Sequence, residues 1–181
     1  MRCALPRVRP AIRADVPEIE ELITRSARAL SEGYYTPTQV ESFLRFVFGT
    51  DTQLIDDGTY FVAERNAHLV GAGGWSRRRT LFGGDRMKDL EDPLLDPHAE
   101  PARIRAFFVD PGAARQGVAR RLFDECCRAA AAAEFSTLTL VATLPGEPLY
   151  QALGFQVTER FQLNLPDGVE VLVARMSRGV I

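Results

Sequence analysis

The chain has 181 residues, 46% hydrophobic and 25% charged, with a net charge of −2. That supplies enough apolar material for a core and excludes a disordered, collagen-like or disulfide-stapled chain. The slight acidity argues against nucleic acid as a partner. The three cysteines, Cys3, Cys126 and Cys127, match neither a disulfide framework nor a zinc site, because adjacent helical residues point about 100° apart. Reduced thiols in a cytoplasmic protein without a metal are therefore expected. No run approaches the roughly 18 apolar residues of a membrane span, and MRCALPRVRP lacks the apolar stretch of a secretion signal.

Asp15, with Pro17 in the first turn and Glu18 three residues on, predicts a capped helix whose apolar face is Ile19, Leu22, Ile23 and Leu30. Gly33 breaks it. TPTQVESFLRFVF starts a second helix, with Thr36 and Gln39 as capping pair and Val40, Phe43, Leu44 and Val47 as apolar face. Residues 59–65 and 68–79 read as two strands of a hairpin turning at Asn66. Residues 83–102, rich in Pro, Gly and Asp, read as a long loop, which in a compact domain is usually functional or mobile. Strand 103–109, helix 115–133, strand 136–142, short helix 146–154 and strands 155–163 and 169–176 follow, the last two joined by NLPDG. On the long helix Val118, Leu122, Cys126, Ala129 and Ala133 form one stripe. One domain over residues 1–181 is expected, an α/β fold with a mixed sheet covered on both faces.

DPGAARQGVARRLF, residues 110–123, joins the strand to the long helix. A helix N-terminus leaves backbone N–H groups unpaired and carries partial positive charge, so it can hold an anion where the residues are small. Gly112, Ala113, Ala114 and Gly117 are small, and Arg115 and Arg120 add charge. A turn of this composition can equally bind nothing. Dinucleotide and lysine-dependent phosphate-loop patterns are absent, with Val118 where the lysine would stand; Lys88 is the only lysine.

The strand RIRAFFV followed by DPGAARQGVARRLF resembles the acyl-CoA-binding segment of the GCN5-related N-acetyltransferases, and LPGEPLYQALGF resembles that family's next motif. VRPAIRADVPEIEELI is similar to its opening strand and helix. Ala114, Thr143 and Gly146 depart from the pattern, which more often has Gln or Arg, Asn and Ala there. The resemblance implies a mostly antiparallel sheet whose central parallel strands splay to admit the pantetheine arm of acetyl-CoA. It implies pairing of that arm with Phe107, Phe108 and Val109, and an oxyanion-binding N–H near Phe108. Pyrophosphate contacts would come from Ala114, Arg115, Gln116, Gly117, Val118, Ala119 and Arg120, with Thr143 and Tyr150 also at the cofactor. Tyr150 is the implied general acid; packing between Leu149 and Leu153 is its other reading. The expected activity is acetyl transfer to a primary amine of a small molecule or peptide in a ternary complex, with a non-catalytic acyl-CoA-binding domain as the alternative. Homodimers are common in the family.

Strand 103–109 offers Arg103 and Arg105 where family members often carry a basic carboxylate, so the base is unassigned; Glu32, Asp85, Asp96, His98 and Glu100 lie in loops. If strand alternation holds, Trp75, Arg77 and Arg79 share a face, either an acceptor-site wall or a charged sheet edge. Tyr34 and Tyr35 either close over the acceptor or pack.

Overall fold

The computed structural model describes residues 5–88 and 91–180, so Cys3 lies outside the described residues. In chain order these form β1 (Arg7–Pro10), α1 (Val16–Leu30), α2 (Pro37–Phe46), α3 (Thr52–Asp56), β2 (Tyr60–Arg65), β3 (His68–Ser76), β4 (Ala102–Val109), α4 (Val118–Ala132), β5 (Thr137–Thr143), α5 (Glu147–Ala152), β6 (Gln156–Asn164) and β7 (Glu170–Gly179). The strands make one sheet in the order β1-β2-β3-β4-β5-β7-β6, antiparallel throughout except for β4 and β5. Among the described residues, no helix is long and apolar enough to cross a membrane.

Period-two alternation divides the strands between two layers. On β2, Phe61 and Ala63 pack in the cluster containing Leu122 and Cys126 of α4, while Tyr60 and Val62 join Ile19, Leu22 and Ile23 of α1. Each fully buried aliphatic side chain of this kind contributes about 1.5–3 kcal/mol. Val40 and Phe43 of α2 pack with Val171 and Val173 of β7. The β2–β3 hairpin turns on Asn66 and Ala67, both with positive φ, the geometry that matches strand twist.

Thr36 and Gln39 form the expected reciprocal cap of α2. Asp15 and Glu18 do not cap α1. The Asp15 carboxylate accepts the Ile12 N–H and pairs with Arg9, closing the turn before the helix, while Glu18 accepts the Leu69 N–H and ties α1 to β3. Asp15 finds its partners in the preceding turn and strand, whereas Glu18 reaches a group that only the sheet brings close. α3 was not expected; it is five residues long, too short to show a period, and Asp51 caps it by accepting the Leu54 N–H. β3 ends at Ser76 rather than 79, where Arg78 leaves the sheet to pair with Asp57. The following segment is not wholly irregular: Arg78 bridges Leu94, and residues 85–87 form a single 3-10 turn. α4 starts at Val118, three residues later than expected, because a 3-10 turn at 111–113 and a left-handed turn precede it.

β4 and β5 are paired only at Ala102↔Leu138 and Arg103↔Thr139 and diverge beyond. In the β3–β4 ladder, Ala106 and Phe107 together face Gly73, a β-bulge with Ala106 at φ +53. Gly73 permits it: a Cβ there would lie 2.8 Å from the Phe107 ring. Arg105, just before the bulge, is 2% exposed and donates to Asp51, 0% exposed, at 2.8 Å, and to the carbonyls of Thr80 and Gly83. Lys88 also pairs with Asp51. Arg105 thereby pins the segments around 51 and 80–83 to the sheet.

Two stability effects follow. Gly73→Val should lower unfolding free energy by about 1–3 kcal/mol through overpacking against Phe107, read by urea denaturation. Asp51→Ala strands the Arg105 charge in the interior and should cost about 3–5 kcal/mol, whereas the double variant Asp51→Ala/Arg105→Met should recover much of that loss.

Candidate active site

The divergence of β4 and β5 opens a cavity of about 140 Å³. Residues 104–108 of β4 and 141–143 of β5 form its walls. Gly146, Leu149 and Tyr150 line it from α5, and Phe43, Phe48 and Phe82 line it from α2 and the loops after α2 and β3. Among the described residues, no Asp, Glu or His lines it.

Tyr150 is 9% exposed, its ring edge-on to Phe107 (6.3 Å) and Phe155 (5.8 Å). The packing expected of Tyr150 is therefore present, yet its hydroxyl takes no hydrogen-bond partner among the described residues. Burial raises this phenol above its ordinary value near 10, with nearby Cys126 adding to the shift, so it stays protonated. Burial also pushes the Cys126 thiol up, leaving an inert, packed side chain.

At the bulge, the Ala106 carbonyl accepts the Tyr60 hydroxyl at 3.1 Å. The N–H on the same planar peptide belongs to Phe107 and points the opposite way. Asp110 donates to Val70 of β3, so alternation turns the Phe108 N–H toward β3 as well. The N–H expected near Phe108 is thus that of Phe107. Val109 donates to the Ser26 hydroxyl at 3.2 Å and does not line the cavity. Phe107, Phe108, Thr143 and Tyr150 do line it.

The entry to α4 is built from backbone. Asp110 accepts the Gly112 N–H at 2.9 Å, closing the turn at 111–113. Arg115 (φ +63) and Gly117 (φ +81) are both left-handed, a curl that gathers successive N–H groups into an anion-binding concavity. The backbone N–H groups of residues 115–120 donate to nothing among the described residues. A Cβ at Gly117 would meet no atom within 4 Å, so the space before these donors is open. The side chains have other work. Gln116 donates to the Gly112 carbonyl and accepts from Arg65, both at 2.8 Å, and so shapes the turn. Val118 is buried against Gly71, so only its backbone can face an anion, while Arg115 and Arg120 are exposed. Ala114 and Ala119 present only a methyl group.

Other candidates lie elsewhere. Trp75 is buried edge-on to Phe135 in the α4 layer, and Arg77 and Arg79 are exposed beyond the end of β3; they do not form an acceptor wall, because alternation stops with the strand. Tyr34 is 50% exposed. Tyr35 is buried, donating to the Leu172 carbonyl and accepting the Leu144 N–H, so it ties α2's approach to β5 and β7. Glu32 and His98 are exposed, Asp85 accepts from Thr52, and Asp96 and Glu100 bond within their own loop. None of these lines the cavity. The residues that sequence reasoning missed are Phe48, Phe82 and the Asp51–Arg105 pair; Phe43 was legible only as an apolar helix face.

The model of the acetyltransferase (GNAT) domain family matches residues 56–157. No curated protein matches the sequence. Solved structures do resemble the fold. A GCN5-related N-acetyltransferase from Rhodopseudomonas palustris superposes with a TM-score of 0.72 at 17% identity, over 99% of this chain and 98% of that one. The PaiA N-acetyltransferase from Thermoplasma acidophilum, in complex with coenzyme A, gives 0.66 at 12% identity over 97% and 99%. A Salmonella typhimurium protein with its cofactor acetyl-CoA gives 0.64 at 15% identity over 98% and 95%. With the family model covering more than half of a chain whose central strands part beside a left-handed helix entry, this protein belongs to the GNAT acetyltransferase domain family.

Proposed function

We propose that this chain is an N-acetyltransferase that moves the acetyl group of acetyl-CoA to a primary amine, with Tyr150 as the acid. The observation that carries the reading is the pairing of a partnerless, protonated Tyr150 hydroxyl in the strand gap with six unclaimed N–H groups at the start of α4. Two coenzyme A-bound structures of the same fold support the choice of cofactor.

The residues present fit that cofactor. The N–H groups of 115–120 would hold its pyrophosphate, and the open space at Gly117 leaves room for the oxygens. The strand gap would admit its arm. When bound, acetyl-CoA supplies a thioester whose C–S bond gives way to a C–N bond with the amine. The Phe107 N–H would polarise the acyl oxygen. Tyr150 would give the proton at its hydroxyl oxygen to the departing sulfur and regain one from the proton the attacking amine sheds. The walls of the gap exclude water and align the two reactants.

An acyl-CoA-binding domain without transferase activity is the second reading, and the cavity's lack of a lining carboxylate favours it. Amine-dependent thiol release by the parent chain separates the two, and Tyr150→Phe then tests the acid. As an enzyme, the variant should lose about a hundredfold in kcat while its acetyl-CoA affinity by calorimetry stays within a factor of about two. If it turns over like the parent chain, Tyr150 is not the acid. Gly117→Glu places a carboxylate before the N–H row and should abolish acetyl-CoA binding, a loss that Gly117→Ala should not reproduce in full. Because burial lifts Tyr150 above the ordinary phenol range, the acid form persists as pH rises. The kcat profile should therefore show no alkaline decline up to about pH 10.

A further inference from the structure

Resting on the amine-acetyltransferase reading, we infer that the acceptor is a primary amine carrying one aromatic ring and no second positive charge, its ring seated among Phe43, Phe48, Phe82 and Phe108. These four side chains line the α2 side of the cavity. Phe43 and Phe48 are stacked at 4.7 Å with their planes 2° apart, and Phe48 meets Phe108 edge-on at 5.2 Å. A ring entering this wall finds both faces and edges to pack against, the arrangement aromatic pairs favour.

Charge selects in the same direction. Polyamines and lysine-rich peptides bring further cations, which need carboxylates once removed from water. Among the described residues none lines this cavity. The one charged lining residue among those described, Arg105, has its guanidinium committed to Asp51 and to the carbonyls of Thr80 and Gly83, so it is not a free partner for an acidic acceptor either. Arg105 and Tyr150 are the ionisable groups in the lining, with Asp51 and Lys88 paired behind Arg105. Apolar walls of this kind favour the uncharged amine, the nucleophilic form, over the ammonium ion.

The test uses the purified chain with acetyl-CoA and follows thiol release with 2-phenylethylamine, spermidine and a lysine-containing peptide. The expected result is a kcat/KM for 2-phenylethylamine at least about tenfold above the other two, since a methylene-scale apolar difference alone gives about that factor. Phe48→Leu keeps an apolar side chain but removes the ring and should cut the preference about fivefold. Phe82→Asp, in a partly exposed loop position, should shift it toward spermidine. Equal or better use of spermidine or the peptide overturns the inference and leaves the transferase reading standing. If no amine is acetylated, calorimetry of 2-phenylethylamine against the coenzyme A-saturated protein decides. Binding there upholds the aromatic pocket and overturns the transferase reading; no binding overturns both.

Discussion

The bulge at Ala106 and Phe107 is the constraint on which the site depends. Two residues of β4 face the single residue Gly73, so the strand turns away from the register it began with β5. Parallel strands pair slightly less firmly per residue than antiparallel ones, and here the ladder stops after two residue pairs. The cost of a non-glycine residue at φ +53 is offset by the Tyr60 hydroxyl bonding the rotated Ala106 carbonyl and by the Phe107 ring lying on Gly73. The same rotation directs the Phe107 N–H away from Tyr60. One backbone device thus opens the gap and presents a donor on its wall.

Arg105 supplies the second constraint. A guanidinium within a sheet is tolerable only when fully paired, and its three acceptors come from two segments far apart in sequence, at 51 and 80–83. Those segments adjoin Gly49, Phe82 and Gly84, which line the α2 side of the cavity. On the strand where the family resemblance implied a basic carboxylate, Arg105 instead serves architecture. The wall beside it is aromatic and, among the described residues, free of carboxylates.

What was legible in the sequence was legible through local periodicity and small-residue spacing. The faces of α1, α2 and α4 follow largely from recurrence every three to four residues, though Leu30 at the end of α1 is exposed, and the Thr36–Gln39 cap needs only neighbours in the chain. Gly117 was legible as a small residue near the helix entry, but its positive φ and that of Arg115, which delay the helix to Val118, were not. The errors share one origin. Asp15 and Glu18 have the spacing of a capping pair, but Arg9 and, delivered by the sheet, the Leu69 N–H compete for them. Trp75 was given a face by extending strand alternation past Ser76, where an ion pair between Arg78 and Asp57 ends the strand.

The sequence by itself determined the layered α/β order and the small-residue turn before α4, because each rests on residues within about ten positions of one another, while the candidacy of Tyr150 came from the family resemblance. Only the tertiary structure decided where β4 bends, which N–H the bend exposes and which aromatic rings face the gap. Those depend on Gly73, Tyr60, Phe48, Phe82 and Asp51 meeting β4 across tens of residues, and long-range packing of that kind leaves no periodic trace in the chain.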